Sequence, residues 1–292
     1  MTVRKDFERA VTAHRAAVGH WHAAGSRQSG VAASLTDRQR RLITQLAQAA
    51  TVVTPGWLGQ ALTRARADAP LGESDPESPL AVRIGECVPD ADHRFPVIVN
   101  LLGTGHLALD APASRPQVAS VLRSVPLRLL AHRPADSLDV TLVDPSGNVF
   151  TDFAPLWAAG YCPAPVTDAA GFVSMLDTAE AQLDRAARTG DTQDLPERLL
   201  VVAAVPTGCG DVTARLARIA AAGPAARLHL VMADCRTDRL DHTTYVSVDT
   251  QCRVAGVPFP VAMDQAPEPE LVTAVCSRIA AAGRWLIGGL ET

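Results

Sequence analysis

Four residues with acid, base or nucleophile chemistry stand in or just after short apolar runs. Asp144 follows the run Asp139–Val143, His229 lies within Arg227–Met232, and Asp234 and Cys235 follow it. In a sheet with helices on its faces, strand ends are where ligands and reacting groups gather. An acid beside a thiol would suit covalent catalysis if a base activated the sulfur, but no histidine is spaced to activate Cys235. Asp144 opens the segment VDPSGN, whose Asp, Pro and Gly signal a turn, so its expected role is an Asx turn.

Two further segments have the composition of anion-binding loops. Gly103-Thr104-Gly105-His106-Leu107-Ala108 matches the text GxGxxA of a dinucleotide loop. Such a loop must open a helix whose amides meet a pyrophosphate, whereas His106–Leu109 reads as another strand, so a tight turn between strands is expected. Asp110 to Gln117 (DAPASRPQ) sits at a strand-to-helix junction, the usual place of a phosphate cradle. It has neither glycine nor lysine, and two prolines delete amide donors. Arg115 is its one anion-binding candidate, read as a surface arginine at a helix start.

Composition narrows the chemistry. Of 27 basic residues in the 292, Lys5 is the only lysine, which disfavours GxxxxGK[ST] loops, Schiff-base enzymes and Ser-Lys hydrolases. A formal charge of -4 gives no general pull toward nucleic acid or anionic membrane. The basic cluster Arg38, Arg40 and Arg41 reads as a solvated helix face, with contact to DNA or a protein as the minor alternative. Six cysteines without a CxxC pair fit small buried side chains better than a zinc or disulfide framework, and His20 and His22 lack a third ligand. No metal site is expected. The N-terminus shows no basic-then-apolar leader, and no apolar run is long enough to span a bilayer, so a cytoplasmic location is expected.

The elements that must position these residues follow from periodicity. Apolar residues at three- and four-residue steps over 3–24 predict a helix, and Thr36 with Gln39 forms a capping-box signature for a second helix through about Val53. Residues 1–66 are thus expected as a helical hairpin region and 67–79, rich in Asp, Glu, Pro and Ser, as a linker. From residue 80 to 292 short apolar runs alternate with helical ones: 81–84, 96–102, 106–109, helix 116–132, 139–143, helix 169–187, 198–205, helix 212–222, 227–232, 245–248, and a last helix from 269 to about 283. The fold class expected is α/β, a parallel sheet flanked by helices. Pro126 should kink the helix over 116–132 or push its start later.

In order, these segments resemble the motor domain of the FtsK/SpoIIIE family of DNA translocases, a RecA-like fold. The resemblance rests on His106–Leu109 and the helix after it, Ser137–Gly147 with its Asp-Pro turn, Leu195-Pro196 with Leu199–Ala204, and above all Leu216–Arg236. Pro55-Gly56-Trp57-Leu58-Gly59 and the Gly103–Leu107 stretch further resemble a region that precedes a complete ATPase module in actinobacterial FtsK-like proteins. The resemblance puts Ala111 and Pro116 on the two phosphate-loop glycines, Gln117 on the lysine and Val118 on the Ser/Thr. Ala203 and Ala204 take the magnesium-site acids, and Asp234-Cys235 the sensor Thr-Gln. It therefore implies a degenerate RecA-like domain with no catalytic residue, a vestigial phosphate-loop position at Ala111, Arg115, Pro116, Gln117 and Val118, and ATP and magnesium as weak ligands at most. Implied partners are an FtsK-like ATPase domain or further copies of the chain; net charge does not favour DNA. The alternatives are weak nucleotide binding through Arg115, a fragment of a longer motor, and an unrelated α/β enzyme using Asp144, Asp234, Cys235 or His229.

Overall fold

The computed structural model describes residues 35–72, 74–75, 77–90, 92–134, 137–235, 240–257 and 259–288, the last five as backbone. The helix expected over 3–24 lies outside them. Helix α1 (Asp37–Val53) begins as its sequence dictates: Thr36 Oγ1 accepts from the Gln39 amide at 3.3 Å, and Gln39 Oε1 accepts from the Thr36 amide at 2.8 Å. Its buried residues Ile43, Leu46 and Ala50 lie on one face and pack on strand β2 (Phe95–Leu102); each large side chain buried this way contributes about 1.5–3 kcal/mol.

Two sheets share the chain. Strand β1 (Leu80–Cys87) pairs antiparallel with β2 on one side and with β9 (Val261–Met263) on the other. The larger sheet has the order β4-β5-β6-β3-β7-β8, where β3 is His106–Leu109, β4 Asp139–Val143, β5 Arg198–Val202, β6 Leu228–Met232, β7 Thr243–Ser247 and β8 Arg253–Val254. It is parallel throughout except for the last pair, β7 with β8. Sequence order alone places β1 and β2 in the same alternation as the rest; the structure assigns them to the separate antiparallel sheet.

Strand side chains alternate between the two faces. On β5, Leu199 and Val201 join the core under helices α2 (Pro116–His132) and α6 (Pro269–Gly288), while Leu200 and Val202 join the core under α4 (Ala169–Thr189) and α5 (Thr213–Ala222). Both faces are thus apolar, which is why the parallel strands read as continuous runs. A short helix α3 (Ala154–Ala158), unmarked in the sequence reading, packs against α6. Helix α2 starts with Pro116 at its first turn, where no amide is needed, and runs on through Pro126 to His132. Strand β5 ends at Val202, three residues earlier than its apolar run, because the chain bends at Ala203.

The segment after α1 is pinned by polar contacts. Trp57 is buried and its indole donates to Pro70 O at 2.8 Å; the Gly72 amide donates to Ala131 O at 2.8 Å and Ser74 Oγ to His132 O at 3.2 Å. Arg128, completely buried on α2, donates to Trp57 O at 2.8 Å and to Gln60 O at 2.6 Å. No helix among the described residues is long and apolar enough to cross a membrane.

Candidate functional site

The C-terminal ends of β3, β4, β5 and β6 converge on a crevice of about 460 Å³. Its walls come from the loop between β3 and α2 (Pro112, Ala113, Ser114), the loop after β4 (Asp144, Ser146, Asn148), and Ala203, Ala204 and Asp234 after β5 and β6. This is the position at which an open parallel sheet presents a ligand to a helix N-terminus.

The loop Asp110–Arg115 has the length to wrap a phosphate, yet part of its backbone is committed elsewhere. The Asp110 amide donates to Val246 O at 3.1 Å, and its carboxylate accepts from the Val248 amide at 2.7 Å, which ties the loop to β7. Ala111 O accepts from the Asp234 amide at 2.9 Å, and the Arg115 amide donates to Pro112 O at 3.0 Å, closing a tight turn. Pro112 and Pro116 have no amide to offer. Ala111 and Val118 are buried, Val118 completely, whereas Arg115, Pro116 and Gln117 are exposed. A completely buried valine brings no hydroxyl to a cation, and neither Arg115 nor Gln117 lines the crevice.

The acids of the crevice are structural in geometry. Asp144 is 1% exposed; its Oδ1 accepts from the Ser146 amide (3.1 Å) and hydroxyl (2.6 Å), and its Oδ2 from the Val149 amide (2.7 Å). This is the Asx turn expected from VDPSGN, and it occupies both carboxylate oxygens. Where a magnesium site would need acids, β5 ends in Ala203 and Ala204. Asp234 is exposed and adopts φ +52°, a left-handed conformation that aims its amide at Ala111.

The four strand-end residues of the enzyme alternative do not converge. Asp144 and Asp234 line the crevice; Cys235 is buried in the core beneath α4 and α5, its amide donating to Leu109 O at 2.9 Å. His229 is completely buried near the start of β6, at the opposite end of the sheet. Other thiols are held protonated by burial, Cys87 pushed up to about 12 and Cys162 to about 11. Among the described residues no three His, Cys, Asp or Glu side chains group as a metal site.

The sequence reading missed the ion pair between Arg123 and Asp152, which joins α2 to the turn before α3 beside the crevice. Its partners are 29 residues apart, and nothing local to either marks the other. The GTG turn behaves as expected: Gly103 adopts φ +72° between β2 and β3, and a Cβ on Gly105 would collide with the carbonyl oxygen of His242.

Compared with solved structures, the chain is similar in fold to EssC (ATPases 2 and 3) from Geobacillus thermodenitrificans, at 11% identity and TM-score 0.52, covering 75% of this chain and 52% of that one. It is equally similar to the cytoplasmic domain of the Thermomonospora curvata type VII secretion ATPase EccC (14%, 0.52, 75% and 33%). A third match is Thermomonospora curvata EccC (ATPases 2 and 3) in complex with a signal sequence peptide (16%, 0.52, 75% and 50%). At these identities the likeness is one of fold, a RecA-like α/β sheet flanked by helices, and the chain spans between a third and about half of each matched structure. No family model matches the sequence, and no curated protein matches it.

Proposed function

We propose that this chain is a non-hydrolysing RecA-like module of an FtsK/SpoIIIE-like, ATP-driven machine, serving to dock on a catalytically complete ATPase domain or on copies of itself. The single observation that carries the reading is the loop Ala111–Val118. It keeps the length and position of a phosphate loop while Pro112 and Pro116 remove two of its amides and the Arg115 and Val118 amides are spent on Pro112 O and Arg115 O, and Val118 stands buried where a hydroxyl would meet magnesium. The matched EssC and EccC structures each comprise ATPases 2 and 3, which supports a setting in which one such unit works beside others. In this reading residues 1–66 are a helical hairpin, 67–79 a linker and 80–292 the inactive module, acting in the cytoplasm. Neither ATP nor magnesium is a required cofactor, and Ala111, Arg115, Pro116, Gln117 and Val118 are vestigial positions.

The test is ATP turnover and thermal shift on the purified chain. A site with a Kd of about 50 µM in about 5 mM magnesium-ATP adds about 2.7 kcal/mol, which in a chain of this size raises Tm by about 5 °C or more. The reading expects no shift and no hydrolysis above the protein-free blank. A saturable Tm rise, or hydrolysis that follows magnesium, overturns it.

A further inference from the structure

Away from the crevice, three groups compete for one ring nitrogen. His229 is completely buried, and its Nδ1 lies 3.0 Å from Gly105 O. A carbonyl only accepts, so Nδ1 carries a hydrogen. Its Nε2 lies 3.0 Å from the amide of Gly103, whose N–H points at it, and also 3.0 Å from Glu197 Oε1. An amide needs a lone pair on Nε2 and a carboxylate needs a hydrogen there. No single protonation state serves both.

The other Glu197 oxygen faces two guanidiniums, Arg133 Nη2 at 3.5 Å and Arg227 Nη2 at 3.3 Å. Arg133 in turn donates to Ser78 O at 2.7 Å and to Asp75 O. The remaining titratable neighbour is His106 on β3, whose ring centre is 6.1 Å away. Its Nδ1 accepts from the Leu230 amide at 2.9 Å and its Nε2 donates to Ala220 O at 3.1 Å, and burial together with the charge of His229 pushes it down to about 3; His242 acts on it in the same sense. His106 therefore stays neutral, and the proton goes to His229.

We propose that His229 is a proton-operated latch on the Gly103–Gly105 turn. Neutral, its Nε2 accepts from Gly103 and its Nδ1 donates to Gly105, so one ring clamps both ends of the turn that joins the antiparallel sheet to β3. Protonated, its Nε2 donates to Glu197 and the Gly103 amide loses its acceptor. Thr104 and Gly105 also line a channel of about 640 Å³ shared with Ile98 and Asn100 of β2 and with β7. Releasing the turn loosens one wall of that channel and the seam between the sheets. The inference stands independently of the function proposed above.

The experiment is NMR on the ¹⁵N-labelled full chain from pH 8 to pH 5. The His229 ring nitrogens should pass from the neutral Nδ1–H tautomer to imidazolium, and exchange of the Gly103 amide, normalised to its intrinsic rate at each pH, should accelerate at least tenfold, beyond that of the Val231 amide on β6, with the same midpoint. In Glu197→Gln the midpoint should fall by at least one pH unit, the Gly103 amide staying protected to lower pH; the wild-type titration decides the matter if that variant does not fold. A His229 ring that keeps one state across the range overturns the latch, as does Gly103 exchange that is indifferent to the ring or that rises only in step with Val231.

Discussion

The sharpest quantitative test of the architecture is Asp264→Asn. Asp264 follows β9, and its carboxylate bridges two guanidiniums, with Oδ2 2.9 Å from Arg128 Nη2 and Oδ1 2.9 Å from Arg83 Nη2. The three side chains are 10%, 0% and 15% exposed. Burial lowers Arg128 to about 10, with Asp264 opposing the shift and Arg83 adding to it. Asparagine keeps the shape and one acceptor oxygen but removes the charge, leaving Arg128 without a carboxylate and Arg83 with only Glu86, at 4.0 Å. Breaking a buried pair from one side costs about 3–5 kcal/mol, and the retained acceptor places this change near the lower end, about 3 kcal/mol. The assay is urea unfolding: the midpoint should fall with the slope unchanged, equally at 0.1 and 1 M NaCl, since a buried pair escapes screening. The reference is Asp68→Asn, whose pair with Arg66 has side chains 70% and 80% exposed and should leave the midpoint unchanged. A loss below about 1 kcal/mol for Asp264→Asn, or one that vanishes in high salt, refutes the reasoning.

Two further perturbations follow from the GTG turn and the strand it enters. His106 is depressed from 6.5 to about 3 in the folded chain, so below pH 6.5 the unfolded chain binds a proton that the folded one refuses; stability is full above pH 6.5 and falls by about 1.4 kcal/mol per pH unit toward pH 3. Unfolding at pH 7, 6, 5 and 4 should show that slope, and His106→Gln should be shallower by one proton; equal slopes would refute the assignment. Gly105→Ala drives a Cβ into the His242 carbonyl and should cost about 1–3 kcal/mol. Gly147→Ala meets only open space at φ +69° and should cost about 1 kcal/mol. Circular-dichroism melts that rank them the other way would show that β2 and β3 are not held so tightly at this turn.

The elements best legible in the sequence are those fixed by neighbours along the chain. Thr36 and Gln39 cap each other across three residues, Pro116 opens α2, and β3 and β4 end where their apolar runs end. The Asx turn at Asp144 was readable for the same reason. What the sequence conceals is pairing at a distance: that β1 joins β2 and β9 in a sheet of their own, or that Arg128 finds a carboxylate 136 residues away. Strands as short as β8 and β9 carry too few residues for any period to register. His229 was legible only as a histidine in an apolar run; its partners come from Glu197 and from the GTG turn, 32 and 124 to 126 residues off.

The crevice bears on whether the proposed loss of chemistry is an open vacancy or a rebuilt structure. A merely eroded phosphate loop would leave free backbone amides and an unemployed carboxylate, and a few substitutions would restore it. Here several of these groups have structural partners. The Arg115 amide closes a turn on Pro112, Ala111 O takes the Asp234 amide, and Asp144 spends both oxygens on its own loop. Val118 is packed in the core, where a threonine hydroxyl would need a partner the apolar surroundings do not supply. A lysine at position 117 would start from an exposed site outside the crevice. These contacts hold β3, β4 and β6 together beside the crevice, so under the proposed reading a return of nucleotide chemistry would mean dismantling contacts the fold uses.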